Sequence, residues 1–379
     1  MQIRNKTIFL ISSELWGKMF ISKHNYAIAL AKRGNRVYYF NPIDHSLKPG
    51  TLRVEDSGAH PDLLIVHSRP LFPMWFKFHA RALFDRLIKW HIRQVQKRLG
   101  AKPDIIWDFY CSYLYNDLSA FGASLAIFQP VDQLAEEVRN KKADVVVSIS
   151  DNLLSQYHCK DVPSLKVNHG LGEAYMQLAE RAPVTAINMP VKAGYIGNLS
   201  IDSLDRATLL KAIDLNPQVV FHFIGPVTLK ENNLGHNSSE EAFNAFIAHL
   251  RSLKNVVLHG TKTQEEIAQV LDSFDVLLVC YKATPTYKND NTHKVLEYLA
   301  SGKIVVSTYL SAYDGNDLIV MSAENCNDEW PGLLAKVVAE LPVYNASAQQ
   351  ERRKSFAAQN SYERQIQRIE EFIEGIRNN

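Results

Sequence analysis

Short apolar runs alternate with helical stretches along most of this chain of 379 residues. The strand candidates are 7–11, 36–40, 63–67, 105–107, 125–128, 145–149 and 164–167 in the first half, and 193–196, 219–224, 256–259, 276–279 and 304–307 in the second. Helical patterns over 25–32, 203–214, 240–250, 264–273 and 292–301 separate several of them. This alternation is typical of parallel sheets, and the length suits two domains. The sequence therefore predicts an α/β chain with two doubly wound, Rossmann-like domains that face each other across a cleft.

The domain boundary is predicted from two prolines. Pro183 and Pro190 lie in segment 181–191, which is the expected linker. We therefore expect an N-terminal domain over 1–182 and a second domain over 183–348. The remaining segment, 349–379, is amphipathic and rich in Glu, Arg and Gln, so a terminal helix is expected there.

Two glycine turns close strands of the second half. They are Gly-Tyr-Ile-Gly-Asn at 194–198 and Phe-Ile-Gly-Pro at 223–226. In doubly wound domains ligands bind at the carboxyl ends of strands, and glycine lets the backbone approach a ligand closely. Each turn taken singly is also explained as a tight strand-to-helix connection. Neither turn is a GxGxxG motif or a Walker loop. No dinucleotide fingerprint follows the first strand, which argues against a dehydrogenase.

The stretch 289–308 says most about function. A polar loop leads into a short helix that carries Lys294 and Glu297, and the helix stops at Gly302 before an apolar strand. Residues three apart share one helix face. A cation and backbone N–H groups at a helix start can hold a diphosphate, while the carboxylate can accept from ribose hydroxyls. The alternative is a surface helix with an ordinary ion pair between the two side chains.

Several motifs in order along the chain resemble family-four glycosyltransferases of the GT-B fold, nearest the teichuronic-acid-type branch. The segments that carry the resemblance are Ala143-Asp144-Val145-Val146-Val147-Ser148, His169-Gly170, Asn255-Val256-Val257-Leu258-His259-Gly260, 264–271, Asp275-Val276, 294–308 and Ser361-Tyr362-Glu363-Arg364. The resemblance spans nearly the whole chain. It implies a terminal helix that crosses back to the first domain.

The same resemblance implies transfer of a sugar from a nucleotide diphosphate sugar, with retention and without an obligatory metal or other cofactor. Lys294 and helix amino-termini would neutralise the diphosphate, since no Asp-x-Asp pair is present. Glu297 would hold the donor ribose, and Lys282 would add charge near the phosphates. The donor-binding residues expected in this way are Gly197, Asn198, Gly225, Pro226, Lys282, Thr292, His293, Lys294 and Glu297.

The sequence departs from the family pattern at four places. Asn289 stands where many members have a second Glu, and Asp290 is one position away. The usual cation after the first glycine turn of the second domain is replaced by Asn198-Leu199-Ser200. Segment 12–17 lacks the Gly-Gly loop, and the turn after His169 reads Gly-Leu-Gly. These departures leave the donor and the residue at the anomeric centre open.

Acidic residues at strand ends are the candidates for proton transfer. Asp132 follows strand 125–128, and Asp108 follows strand 105–107. Either could accept a proton from the acceptor hydroxyl, or cap the helix that follows. We take Asp132 and Asp290 as the catalytic candidates. The acceptor-side candidates are Gly17, His24, Asp108 and His169, although a single histidine is more often structural.

Segment 74–102 is basic and aromatic. Between Lys77 and Lys102 there are eight Lys or Arg residues and one acid, Asp85, with large apolar residues interleaved. Such a helix can rest on an anionic membrane, where lipid-linked acceptors are found. The alternative is a core-facing helix with a solvated basic face, because Phe84, Ile88 and their successors form an ordinary apolar stripe.

The composition limits which partners and which cellular compartment suit this chain. The formal net charge of +2 argues against nucleic-acid binding across the whole surface. Four widely spaced cysteines form no metal-binding or CxxC pattern and fit a reducing compartment. No apolar run approaches the roughly 20 residues of a membrane span, and the first apolar run is too short for a signal peptide. We expect a cytoplasmic protein, which is either bound to the inner face of the membrane or not bound to it.

Three function classes remain open. The first is a glycosyltransferase that builds a bacterial surface polysaccharide or glycolipid from a nucleotide sugar donor and a glycan or lipid-linked acceptor. The second is a sugar-nucleotide 2-epimerase, which shares the architecture and the nucleotide diphosphate site. The third is a non-catalytic sugar-nucleotide-binding subunit, which the missing acid at Asn289 makes plausible.

Overall fold

The computed structural model describes residues 2–17, 20–229, 239–283 and 291–378. Two compact units divide the chain. The first holds Met1–Trp16, Phe20–Asn168 and Tyr362–Asn379, and the second holds His169–Ser361 together with Gly17–Met19. Residues 169–182, predicted to belong to the N-terminal domain, group with the second unit.

The first unit is built on one sheet of eight strands. They are Thr7–Ile11 (β1), Arg36–Phe40 (β2), Leu52–Asp56 (β3), Leu63–Ser68 (β4), Ile105–Asp108 (β5), Leu125–Phe128 (β6), Val145–Ser148 (β7) and Ser164–Lys166 (β8). Their order across the sheet is β3-β4-β2-β1-β5-β6-β7-β8. Only the edge pair β3 and β4 is antiparallel among the strand pairs of this sheet described here. The helices are Ser22–Lys32 (α1), Phe76–His79 (α2), Arg81–Leu99 (α3) and Asp151–Ser155 (α4).

The second unit is built on a parallel sheet of six strands. They are Val191–Ile196 (β9), Val219–Ile224 (β10), Val256–Leu258 (β11), Val276–Val279 (β12), Ile304–Ser307 (β13) and Val320–Met321 (β14), in the order β11-β10-β9-β12-β13-β14. The helices are Glu173–Ala179 (α5), Arg206–Leu215 (α6), Glu240–Ser252 (α7), Gln264–Val270 (α8), His293–Ala300 (α9), Trp330–Ala339 (α10), Leu341–Tyr344 (α11) and Ser347–Ala358 (α12). Apolar clusters cover the sheet; one includes Phe221 and Trp330, the other Leu277 and Tyr298.

The last helix, Tyr362–Asn378 (α13), belongs to the first unit. Ile366, Ile369 and Ile373 are buried in the same cluster as Ile8 and Leu10 of β1. The single helix predicted over 349–379 is wrong in one respect, since α12 ends at Ala358 and α13 begins at Tyr362. Between the two helices the carbonyl of Asn360 accepts a hydrogen bond from the N–H of Leu171 at 2.7 Å.

Candidate functional site

The carboxyl edge of the second sheet brings several predicted residues together. Strands β9, β10, β12 and β13 run parallel, so their carboxyl ends meet at one edge. The residues that follow these strands are Gly197 and Asn198, Gly225 and Pro226, Tyr281 and Lys282, and Thr308. Helix α9, with Lys294 in its first turn, begins at this edge.

The two glycine turns touch through their backbones. The N–H of Gly197 donates to the carbonyl of Ile224 at 2.9 Å. A Cβ on Gly225 would lie 2.0 Å from the carbonyl oxygen of Gly197, and a Cβ on Gly197, whose φ is +154°, would lie 2.5 Å from the Nζ of Lys294. Both positions therefore need glycine, because a side chain would collide with backbone at Gly225, and because Gly197 has a positive φ that other residues rarely adopt.

Lys294 is a buried cation held by aromatic rings. The residue is 5% exposed, and its Nζ lies 4.7 Å from the ring centroid of Tyr195 and 5.1 Å from that of Tyr281. Within the described part of the chain no carboxylate forms an ion pair with it. Burial lowers the pKa of Lys294, but the oxygens of Tyr195 and Tyr281 outweigh burial and the net shift is upward. The positive charge is therefore retained, and an exposed ion pair with Glu297 does not describe this helix.

Glu297 lies one turn further along α9. Burial raises the pKa of its carboxyl to about 8, although the charge of Lys294 and a hydrogen bond from Tyr175 act in the opposite direction. The carboxyl is therefore mostly protonated at neutral pH. A perturbed acid beside a retained cation is a common feature of ligand sites.

Tyr298 fixes α9 against the end of β9. Its hydroxyl accepts from the N–H of Ile196 at 2.8 Å and donates to the carbonyl of the same residue at 3.1 Å. Strand β12 pairs with β9 only as far as Gly194, so the hydroxyl serves backbone groups that the neighbouring strand does not reach. We did not single out Tyr298 in the sequence as a positioning residue.

His169 and His293 lie together at the start of α9. Their rings are 6.0 Å apart in a T-shaped arrangement, and Nε2 of His169 is 3.4 Å from the carbonyl oxygen of Asn291. Burial lowers the pKa of His293 to about 3, assisted by the nearby His169 and Lys294, so the ring is neutral. The structure thus places His169, expected on the acceptor side, in the second unit.

The other described residues that were predicted to bind the donor lie in turns or directly before α9. Thr292 precedes α9, and its Oγ1 lies 3.4 Å from the Tyr281 hydroxyl. The Asn198 side-chain oxygen accepts from the N–H and hydroxyl of Ser200, which shapes the glycine turn. Lys282 is exposed, and its N–H donates to the carbonyl of Ser203 at 2.8 Å.

Arg206 is a further cation at this edge. Its guanidinium donates to the carbonyl of Leu199 at 3.2 Å and packs over the ring of Phe246. Burial lowers the pKa of Arg206, while Asp202 and Tyr195 raise it. We missed this residue because the pattern places a cation directly after Gly197, whereas here it comes from the start of α6.

In the first unit, Asp132 shares a buried cation with Glu14. The Asp132 side chain is 69% exposed, and its Oδ2 lies 3.9 Å from the Nζ of Lys23. The same Nζ lies 3.7 Å from Oε1 of Glu14. Burial raises the pKa of Glu14, Lys23 lowers it, and Asp132 raises it further. Two carboxylates thus surround one ammonium at the carboxyl edge of the first sheet.

Asp108 is occupied by protein partners. Its side chain is fully buried, its Oδ2 lies 2.7 Å from the Nζ of Lys141, and its Oδ1 accepts from the N–H of Tyr110. Burial raises the pKa of Asp108, and the charge of Lys141 opposes the shift. Neither oxygen is left for an acceptor, so Asp108 stays outside the proposed site.

His24 has a structural explanation as well. Its Nδ1 accepts from the N–H of Ile21 at 3.1 Å, and its Nε2 lies 3.0 Å from the carbonyl oxygen of Leu15. Burial lowers the pKa of His24 to about 4, so the ring is neutral and Nε2 carries the proton. Gly17 directly precedes two residues outside the described set, and Asp290 also lies outside the described residues.

No protein-family model and no curated protein matches the sequence. Solved structures match nearly all of it. Sucrose-phosphate synthase from Thermosynechococcus elongatus is 13% identical with a TM-score of 0.68, covering 98% of this chain and 99% of its own. Anabaena HepE, solved with UDP and glucose, is 14% identical with a TM-score of 0.66 and coverage of 98% and 100%. A UDP-forming trehalose-phosphate synthase from Burkholderia xenovorans, solved with glucose-6-phosphate, is 13% identical with a TM-score of 0.66 and coverage of 97% and 99%.

These structures are GT-B glycosyltransferases, and at such low identity the match concerns the fold. The chain has the GT-B fold, with two Rossmann-like α/β domains built on parallel sheets, as predicted. The teichuronic-acid-type branch stays a prediction. Among the described residues, no group of three or more His, Cys, Asp or Glu side chains is arranged to hold a metal ion. None of the described helices has the length and apolar character needed to cross a membrane.

Proposed function

We propose that this protein is a glycosyltransferase that moves a sugar from a nucleotide diphosphate sugar to a glycan or lipid-linked acceptor. The observation that carries the proposal is Lys294, a buried ammonium without a carboxylate ion pair among the described residues, beside two glycine turns at a strand-end edge. A retained cation next to backbone that has no Cβ suits a diphosphate. Anabaena HepE was solved with UDP, and the Burkholderia trehalose-phosphate synthase is named as UDP-forming, so UDP is the first nucleotide to test.

The proposed chemistry is retaining transfer without a metal. Lys294, with Arg206 as a second cation, stabilises the negative charge that develops on the leaving diphosphate, and the amino-terminus of α9 adds N–H donors. Glu297 accepts hydrogen bonds from the ribose hydroxyls. On the acceptor side, Asp132 is the described candidate for accepting the hydroxyl proton, because its carboxylate is exposed at a strand end.

The proposed setting is the cytoplasmic face of a bacterial membrane, in the synthesis of a surface polysaccharide. A lipid-linked acceptor presents its reactive sugar at that surface. The basic and aromatic segment of the first unit supports contact with anionic lipid.

The test starts from nucleotide binding. We expect UDP, or another nucleoside diphosphate, to raise the midpoint of thermal unfolding, since a ligand that binds only the folded state stabilises it. The matching nucleotide sugar should then release nucleoside diphosphate faster when a glycan or lipid-linked acceptor is added. If no nucleotide raises the midpoint of thermal unfolding, the proposed donor site is refuted. Binding without any release would identify a binding subunit, and epimerisation of the free donor would identify the 2-epimerase.

A further inference from the structure

The outer face of α3 carries a stripe of apolar and basic side chains. Its members are Leu83, Arg86, Trp90, Arg93 and Lys97, spaced three or four residues apart. That spacing places them on one side of the helix. Leu83 is 44% and Trp90 is 42% exposed, whereas the opposite side buries Phe84 and Ile88. The apolar residues of the stripe are therefore additional to those that hold α3 to the core.

The segment before α3 exposes three more large apolar side chains. Leu71, Trp75 and Phe78 are 61%, 54% and 63% exposed. The segment is anchored from its other side, because Phe72 packs edge-on against Phe84 with ring centroids 5.9 Å apart and Phe76 packs on the same cluster. Large apolar side chains that are exposed close together mark interaction sites more often than singly exposed ones do.

The charged side chains of α3 are basic with one exception. Asp85 is the only acid in α3, and its carboxylate accepts a hydrogen bond from the Tyr113 hydroxyl at 2.7 Å. Lys89 is paired with Asp117 at 2.9 Å. Within the described residues no ion pair engages the three cations of the stripe, Arg86, Arg93 and Lys97. Their charge is therefore available to an anionic partner.

Helix α13 of the same unit shows what an ordinary water-facing helix looks like in this protein. Its exposed charged residues are Glu363, Arg364, Arg368, Glu371, Glu374 and Arg377. They balance in sign. None of the large exposed apolar side chains of the described chain lies on α13. The stripe on α3 is thus not a general property of long helices here.

We propose that Leu71, Trp75, Phe78 and the α3 stripe form a docking surface for an anionic lipid bilayer. The aromatic side chains would enter the headgroup region, where Trp is favoured, and the three cations would face anionic headgroups. A second copy of the chain does not fit, since a symmetric contact would set the basic stripe against itself. The inference deepens the proposed function, because it names the surface at which a lipid-linked acceptor is reached.

The experiment is vesicle co-sedimentation of the full chain without nucleotide. Vesicles of phosphatidylcholine with roughly one third phosphatidylglycerol are compared with pure phosphatidylcholine vesicles at about 0.1 M salt. We expect binding to the anionic vesicles only, weakened by added salt. The triple variant Arg86→Gln/Arg93→Gln/Lys97→Gln should bind at least about tenfold more weakly. The variant Trp75→Ser/Phe78→Ser should lose binding while keeping the unfolding midpoint.

The matched control is Arg364→Gln/Arg368→Gln/Arg377→Gln on α13, which removes the same number of charges from the same unit. It should bind vesicles as the unmodified protein does. Equal losses in the two triple variants, or no binding to anionic vesicles at all, would overturn the proposal. A dimer that Trp75→Ser/Phe78→Ser dissociates, in the absence of vesicle binding, would overturn it in favour of a second copy. Nucleotide affinity, measured separately without vesicles, reports on the donor site alone.

Discussion

Buried lysines lie at the carboxyl edges of both sheets, and their partners differ. In the first unit Lys141 forms a fully buried ion pair with Asp108 at 2.7 Å, and Lys23 lies between Glu14 and Asp132. In the second unit Lys294 contacts the faces of two tyrosine rings. Ionised carboxylates cancel the charge of a lysine, whereas an aromatic ring stabilises the charge without cancelling it.

The difference indicates which edge suits an anion. Lys141 faces the carboxyl group of Asp108, and Lys23 lies between the carboxyl groups of Glu14 and Asp132, so each lysine of the first edge has acidic partners. Lys294 with its tyrosines stays positive. An anionic diphosphate is therefore expected at the second edge, whereas the first edge offers hydrogen-bond acceptors for the hydroxyls of a sugar. The predictions below test this contrast.

The largest expected effect is on stability, from Lys141→Met. Removing one partner leaves the carboxylate of Asp108 buried and unpaired, which costs about 3–5 kcal/mol of the free energy of unfolding. Urea denaturation measures the change. Lys142→Met is the matched control, since the neighbouring lysine is exposed and its loss should cost under about 0.5 kcal/mol. Equal stability of the two variants would show that the buried pair does not hold the first edge together.

Lys294→Met is expected to weaken the donor site and preserve the fold. Loss of the ammonium should weaken nucleoside diphosphate binding about 100-fold, or about 2.7 kcal/mol. Methionine fits between aromatic rings, so the free energy of unfolding should not fall. Calorimetric titration with the nucleotide measures the affinity. Lys141→Met, measured at a temperature where it is folded, should bind the nucleotide with normal affinity. Equal losses of affinity in the two variants would show that the two edges do not differ in anion binding.

Glu297→Ala should weaken nucleotide binding about tenfold, or about 1.4 kcal/mol, by removing the acceptor for the ribose hydroxyls. The sharper form is a double cycle with a 2′-deoxy nucleotide. If the carboxylate binds the 2′-hydroxyl, the substitution should cost less with the deoxy nucleotide than with the ribonucleotide. The same cost with both would place the ribose elsewhere.

The sequence was most informative for short apolar runs that are buried in the sheets. Strands β1, β2, β6, β10, β12 and β13 begin and end at the residues predicted. Strand β3 was missed because its residues are mostly exposed and carry no apolar pattern. It is an antiparallel edge strand, which a prediction based on parallel α/β units does not include.

The site itself was predictable only in part. Lys294 and Glu297 are neighbours in sequence, so their shared helix face could be predicted. The ring of Tyr195 reaches Lys294 from β9, and that of Tyr281 reaches it from the turn after β12. Lys141 contacts Asp108, which is 33 residues away in sequence. Such long-range contacts depend on the assembled sheet. For that reason Asp108 resembled a catalytic acid in the sequence, although burial gives it a structural partner.

The smallest expected effect is a dependence of nucleotide affinity on pH. Burial raises the pKa of Glu297 to about 8 from its ordinary value of 4.5, so the folded protein holds a proton there that the unfolded chain releases between these values. The contribution of Glu297 to stability therefore falls as pH rises through that window.

Ribose binding uses the ionised carboxylate, so nucleotide affinity should rise as pH increases, about fivefold from pH 7 to pH 8. Calorimetry in buffers of different ionisation enthalpy should show proton release on binding, and Glu297→Gln should remove both effects. A pH-independent affinity in the unmodified protein would mean that the ligand does not use this carboxylate, and would leave Lys294 as the distinguishing feature of the second edge.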